Sequence, residues 1–432
     1  MVDRSSEIPG FYKKTVEERR RLVAEFAGLT EAESKLLSST SSTDVSVLDR
    51  MVENVIGAFS LPLAVATNFR VNEKDYLVPM AIEEASVVAA ASHAAKLARP
   101  GGGFHGSMSD PVMIGQVQLL DIADPDGATK RILAEERKLL ELANSKDPLL
   151  HKVGGGAKKI EVRVLHTPRG PMVVVHLLVD VRDAMGANAV NTMVEAIAPE
   201  LSRLSGGRSH LRILSNLAIN RLAHVKAVFT KEVLASDDWS GEDVVEGVLD
   251  AWCMAAYDPF RCATHNKGVM NGISAVAIAT GNDFRALEAG AHSYAAWKAG
   301  EGRVISPLTM FEKTPNGNLV GSIELPMAVG TIGGTTAVHP MAKLAMKILG
   351  VSGAGELGTI MAAVGLAQNF AALRALATEG IQKGHMTLHA RNVAIMAGAR
   401  PDQADRLAKV MVSERAIRID RAKELLEKEH TS

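Results

Sequence analysis

The chain is poor in features that point outward. It has two cysteines, Cys253 and Cys262, in 432 residues, which excludes a disulfide framework and fits a reducing compartment. Neither charge is in excess: 48 Lys and Arg against 49 Asp and Glu leave a net charge of −1. That balance removes the electrostatic footprint that nucleic acid or an anionic membrane surface requires. No apolar run approaches the roughly 20 residues that span a bilayer. "PMVVVHLLVDV" (171–181) is too short and reads as a strand. The opening "MVDRSSEIPGFYKK" lacks the apolar core of a secretory signal. No repeat or low-complexity tract stands out. The expectation is a cytoplasmic protein with neither nucleic acid nor membrane as a partner.

What is present is apolar and patterned. Hydrophobic residues make up 47% and charged residues 22%, enough for sizeable cores, and the length suggests two or three domains. "LTEAESKLL" sets Thr30 and Glu33 at capping-box spacing. "EEASVVAAASHAAKLARP" (83–100) reads as a small-residue helix, stopped by Pro100 and three glycines. "ATKRILAEERKLLELANSK" is an amphipathic helix, and "KKIEVRVLHTPRGPMVVVHLLVDV" is two β-rich runs around Pro168-Arg169-Gly170. "DAMGANAVNTMVEAIAPEL" passes from strand into helix, and "HLRILSN" returns as a strand. From about residue 217, long helices such as "GEDVVEGVLDAWCMAA" alternate with Gly-rich connections. "TPNGNLVGSIELPM" is a hairpin with Asn316-Gly317 at its turn. Beyond about residue 380 the helices become polar and amphipathic, which suits a mobile, surface-lying unit.

Several stretches carry two readings. In "THNKGVMNGISAVAIATGND" (264–283), Lys267 and Asp283 bracket small and apolar residues. Asp283 alone reads as a helix N-cap, and Lys267 alone as a surface lysine. A Lys–Asp pair in a dry pocket would instead be a costly bridge or a site that must hold positive charge. "DAMGAN" (183–188) is either an anion-receiving turn at a helix N-terminus or an ordinary strand-to-helix loop. "GAGELG" (353–358) matches G-x-G-x-x-G, but the helical "HPMAKLAMKILGVS" before it is the wrong context for a dinucleotide fingerprint. Those glycines read as a helix–helix connection. His385 and His389 have i, i+4 spacing, but Met386 stands where a zinc-protease motif needs Glu, so no metal is expected. No G-x-S-x-G elbow occurs.

Taken together, eight separated stretches resemble one family. They are "ENVIGAFSLPLAVATNF" (53–69), "VPMAIEEASVVAAAS" (78–92), "TPRGPMVVVHLLVDVRDAMGANAVNTM" (167–193) and "RILSNLA" (212–218). In order there follow "DPFRCATHNKGVMNGI" (258–273), "ATGNDFRALEAGAHSYA" (279–295), "PMAVGTIGG" (326–334) and "VGLAQNFAALRALATEGIQKGHMTLHARN" (364–392). The chain is similar along almost its whole length to the class II 3-hydroxy-3-methylglutaryl-coenzyme A (HMG-CoA) reductases. One departure is visible: the family commonly has Glu-Pro-Ser where this chain has Glu84-Ala85-Ser86.

The resemblance implies an α+β fold with a large, mainly helical substrate and dimerisation domain (1–109 and 217–377). Into it is inserted a small NAD(P)-binding domain (110–216) with an antiparallel sheet, not a Rossmann fold, and a C-terminal helical flap (378–432) follows. It implies interconversion of HMG-CoA with mevalonate and coenzyme A through two hydride transfers with a nicotinamide. The implied catalytic residues are Glu84 as proton donor, Lys267 stabilising the oxyanion, Asp283 holding Lys267 protonated, and His385 protonating the departing thiolate. Ser86, Arg261, Asn271, Asn216 and Gln368 are the implied substrate contacts. Asp147, Asp183, Met185, Gly186, Ala187 and Asn188 are the implied cofactor contacts, with NAD expected and NADP admitted, because Asp147 would repel a 2′-phosphate. A homodimer or an assembly of dimers is expected, with "ENVIG" in the contact. Two rivals are a Rossmann dehydrogenase using "GAGELG" and a coenzyme-A-binding module without redox chemistry.

Overall fold

Alternating apolar residues pair ten strands into two separate sheets. The computed structural model describes residues 5–38, 43–378, 380, 390–414 and 416–430. The strands are β1 (Leu63–Val71), β2 (Lys74–Ala81), β3 (Phe104–Met108), β4 (Val112–Leu120) and β5 (Gly156–Thr167). They continue with β6 (Gly170–Asp180), β7 (Arg208–Ser215), β8 (Leu222–Phe229), β9 (Thr309–Lys313) and β10 (Leu319–Pro326). One sheet runs β2-β1-β3-β8-β10-β9 and the other β5-β6-β4-β7. All pairings are antiparallel except β1 with β3. The fold is mixed helix and sheet, as expected.

The four-stranded sheet is one excursion of the chain. It departs after Met108 and returns at Leu222, and the two crossings are tied together. The Ser109 amide donates to the Leu222 carbonyl at 2.8 Å, and the Leu222 amide donates to Ser109 Oγ at 2.7 Å. Inside the excursion, Val173, Val175, Leu177 and Val179 point to one face of β6 because side chains alternate along a strand. They meet the helix Ala187–Ser205, whose Val190, Met193, Val194, Ile197 and Leu201 recur every three or four residues. The two-residue turn Pro168-Arg169 closes β5 onto β6 with Thr167 opposite Gly170, the hairpin read from the sequence. Asn316-Gly317 likewise turns β9 into β10 with Gly317 at φ 84°.

The larger core centres on the helix Ala354–Ala377, apolar on every side and buried along most of its length. The expectation that no segment approaches bilayer-spanning length is corrected here. By length and composition alone this helix qualifies, and its burial makes it a core helix. It packs on the helices Val87–Ala98 and Pro259–Ala279, and Phe370 stacks on Phe229 with centroids 3.8 Å apart. Residues from Ala390 onward build a small core of their own, including Val393, Leu407, Met411 and Leu426. Thr15 with Glu18 and Thr30 with Glu33 form complete capping boxes near the N-terminus.

Candidate active site

The Lys267 helix, Pro259–Ala279, is fixed at its start and along its inner face. The Asp258 carboxylate caps it by accepting the Arg261 amide at 2.6 Å, with Pro259 in the first turn. Within, His265 and Asn266 are almost fully buried. Thr309 Oγ1 donates to Asn369 Oδ1 at 2.8 Å, and Asn369 Nδ2 donates to the His265 carbonyl at 3.2 Å. With the only hydroxyl proton so committed, the 2.7 Å contact of His265 Nε2 with Thr309 requires His265 to donate. Burial pushes the His265 pKa down to about 3, so the ring is neutral. Asn266 adds bonds to the Ser306 carbonyl and the Leu308 amide. This buried polar lock sets the rotation of the helix, and Lys267 emerges on the outer side.

There Lys267 Nζ lies 3.0 Å from Glu84 Oε2. Glu84 sits between β2 and the helix Val87–Ala98. Ser86, at the N-cap, has φ 77°, a left-handed conformation that costs a non-glycine residue roughly 1–2 kcal/mol. Its buried Oγ has no hydrogen-bond partner among the described residues. The Lys267 side chain is 60% exposed and Glu84 39%. At that exposure an ion pair contributes only about 0–1 kcal/mol, so stability does not explain it.

Two expectations are corrected. The dry pocket around Lys267 is absent from the single chain, where the ammonium is mostly exposed. Asp283 does not pair with Lys267 among the described residues. It caps the helix Phe284–Trp297, accepting the Arg285 and Ala286 amides at 3.0 and 3.2 Å, and it pairs with Arg285 Nη2 at 3.0 Å. The unmet amides of the first helical turn and the Arg285 guanidinium all fall on Oδ1. A carboxylate overlooked in the sequence, Glu288, accepts from Ser274 Oγ at 2.6 Å and lies 3.1 Å from His292 Nε2. Burial raises its pKa, but the bonds from His292 and Ser274 and the charges of His292 and Lys267 outweigh it and leave it below the usual range. The signal was available: Lys267, Asn271 and Ser274 share a face at i, i+4 and i+7.

The implied substrate contacts fall on elements around this pair. Arg261 and Asn271 lie on the Lys267 helix, before and after Lys267. The Asn216 carbonyl rests against Gly290, where an added Cβ would come within 2.7 Å of it. Gln368, on the central helix, is buried with Oε1 unpartnered among the described residues. His385 and His389 lie outside the described residues.

The 183–188 turn, the implied cofactor contact, is built at the neck between the sheets. Gly186, at φ 100°, leads into the helix Ala187–Ser205 with no side-chain cap, so amides of Ala187 and Asn188 open that helix as anion receptors do. Asp183 does not face this opening. Its Oδ1 accepts the Ala354 amide at 2.7 Å and comes against Gly353, so the "GAGELG" helix start already holds a carboxylate. A helix, Pro340–Leu349, precedes it, and both observations disfavour the Rossmann rival. Asp147 caps the short helix Pro148–Lys152 through the Leu150 amide at 2.9 Å. Arg182 Nη2 donates to the Gly154 carbonyl at 2.6 Å, which ties that helix's exit to the approach of the 183–188 turn. The turn therefore presents free amides at a helix start, and Asp147 lies on a different loop.

Comparison with known proteins identifies the family of the chain as a whole. The family model described as hydroxymethylglutaryl-coenzyme A reductase matches residues 15–390. A 3-hydroxy-3-methylglutaryl-coenzyme A reductase of Archaeoglobus fulgidus is 59% identical over 424 residues, covering 98% of this chain and 95% of that protein. A probable one of Borreliella burgdorferi is 35% identical, covering 89% and 85%. A solved reductase of Streptococcus pneumoniae superposes with a TM-score of 0.83 at 40% identity, over 97% and 99% of the two chains. A class II structure from the same organism, bound to NADPH in open conformations, gives 0.81 at 40% identity, over 96% and 100%. The chain belongs to the hydroxymethylglutaryl-coenzyme A reductase family.

Proposed function

We propose that the HMG-CoA reductase reaction of this chain, the interconversion of HMG-CoA with mevalonate and coenzyme A, runs at the Glu84–Lys267 pair. The observation that carries this is the 3.0 Å contact between an ammonium and a carboxylate that stability does not require. The nicotinamide supplies the two hydrides. Lys267 receives the negative charge that develops on the substrate carbonyl oxygen, an electrostatic role that strengthens as water is excluded. Glu84 first takes up a proton from solvent and then, as the carboxylic acid beside the same ammonium, delivers it to that oxygen. Arg261 is suited to a bidentate grip on the free carboxylate of the acyl group. Ser86, Asn271, Asn216 and Gln368 orient the remainder. Asp283, presented at the start of its helix, is kept as a proposed catalytic carboxylate of the assembled site. His385 is the proposed proton donor to the departing thiolate, a task imidazole side chains can perform near neutral pH.

The test is spectrophotometric: HMG-CoA with each reduced nicotinamide, then mevalonate and coenzyme A with each oxidised one. Thioester-dependent change in nicotinamide absorbance is expected. Coenzyme A binding without any such change would leave only the binding-module rival.

Residues 1–109 with 217–377, 110–216 and 378–432 are proposed as the large, cofactor and flap domains, supported by the tied neck and separate cores. We further propose a cytoplasmic homodimer. Val52, Ile56 and Phe59 stand exposed in and beside the "ENVIG" segment, and a second subunit over the site would dry Lys267. Sedimentation paired with assay tests this, and fully active monomers would contradict it.

For cofactor choice, Asp147→Ala is expected to narrow the preference for NAD over NADP, since a carboxylate beside the ribose repels a 2′-phosphate. The substitution also removes a cap worth about 1 kcal/mol, so the ratio of kcat/KM for the two cofactors is the measurement. An unchanged ratio would remove Asp147 from cofactor selection.

A further inference from the structure

Arg221 is the largest fully buried side chain of the molecule, 1% exposed. It lies at the neck, just before β8, where the chain re-enters the larger sheet. No carboxylate pairs with its head among the described residues. Nη1 donates to the main-chain carbonyls of Ala184 at 3.0 Å and Met185 at 3.3 Å, and Nη2 donates to that of Val329. Burial lowers its pKa to about 10 against the pull of Asp183 and Asp180, so it is charged near neutral pH. Burying a guanidinium costs several kcal/mol unless its donors are used. Here Nη1 and Nη2 are spent on one short turn and the segment packed against it, while the buried Nε has no hydrogen-bond partner among the described residues.

The geometry has a directional consequence. In a trans peptide the C=O and N–H groups point opposite ways. Drawing the 184 and 185 carbonyls inward therefore turns the Met185 and Gly186 amides away from the guanidinium. Gly186 then leads directly into the uncapped start of the helix Ala187–Ser205. The same turn is pinned again by the segment that follows Val329. The Thr331 amide donates to the Asp183 carbonyl at 2.9 Å, and Gly330 packs so closely that an added Cβ would meet the Met185 nitrogen at 2.6 Å. The Gly330 amide in turn donates to Asn282 Oδ1 at 2.8 Å, one residue from Asp283. A continuous set of hydrogen bonds and contacts thus runs from the cofactor turn, through 329–331, to the start of the Asp283 helix.

We infer that Arg221 is a positioning residue for the dinucleotide: by holding the Ala184 and Met185 carbonyls it sets the orientation of the 183–188 turn and registers that turn to the Asp283 end of the site. The inference rests on the proposal that this turn receives the cofactor. Lysine keeps the charge but cannot span three carbonyls with a planar fork.

The test measures binding in the full-length enzyme, apart from turnover. Fluorescence titration of reduced nicotinamide dinucleotide should give Arg221→Lys a Kd raised about tenfold, the loss expected from one charge-assisted hydrogen bond. Calorimetric binding of HMG-CoA should be unchanged. Gly330→Ala, whose added Cβ would press on the Met185 nitrogen, should reproduce that selectivity and takes the place of Arg221→Lys if the latter does not fold. Equal weakening of both ligands, or unchanged cofactor binding by a folded Arg221→Lys, would overturn the role. Gly186→Ala, strained at φ 100° and 2.5 Å from Val181, separates the two layers. If it leaves cofactor binding intact, the turn is not the cofactor site. If it weakens binding and Arg221→Lys does not, only the positioning role falls.

Discussion

Lys267→Ala is expected to lower kcat for HMG-CoA reduction by at least roughly 10²–10³-fold while the protein stays folded, the scale lost when one oxyanion donor is removed. Folding should be little affected because the pair it breaks is exposed and worth under about 1 kcal/mol, and alanine is a good helix former. The buried lock of His265, Asn266, Thr309 and Asn369 that sets the helix is untouched. Both reductions, of the thioester and of the aldehyde left after coenzyme A departs, place negative charge on the same oxygen. Both should therefore fall together. Lys267→Arg keeps a cation but replaces a compact ammonium by a planar fork, and should recover only part of the loss. The measurement is single-turnover kinetics with each substrate beside a thermal melt. A folded Lys267→Ala variant within tenfold of the parent would refute the assignment.

How much of this was legible in the sequence varies with the physics. Local signals held: the capping box at Thr30, the hairpins at Pro168-Arg169 and Asn316-Gly317, and the strand-to-helix turn at Gly186 depend on neighbouring residues alone. The resemblance supplied Glu84 and Lys267, and the structure brings them into contact from positions 183 residues apart. Periodicity could not have joined them. In the single chain the adjacent helix amides and Arg285 hold Asp283 Oδ1, and no contact with Lys267 occurs among the described residues. The Ala354–Ala377 helix escaped notice because scattered polar residues hide its burial in a linear scan. Arg221 was invisible for a different reason. Nothing in "NRLAH" tells a buried guanidinium bound to carbonyls from an exposed one, since its partners come from 184, 185 and 329.

Glu84→Gln should be the second severe variant, and its profile differs from that of Lys267→Ala. The amide keeps the shape of the side chain and can still accept a bond from Lys267, but it has no acidic proton to deliver. Loss of general acid catalysis is worth about 10²–10⁴-fold in kcat. Because the ammonium remains, HMG-CoA binding should change little, so kcat and kcat/KM should fall by similar factors. The pair acts as a unit: an oxygen not protonated by Glu84 still needs the charge of Lys267, and one lacking that charge gains little from the acid. The double variant should then be scarcely worse than the poorer single one, a coupling that a double-mutant cycle reads directly. Strict additivity of the two losses would mean that they act on separate steps. In that case the 3.0 Å contact, made where Ser86 is held in a strained conformation at the helix start, would be positional, and the proton would have to come from another group.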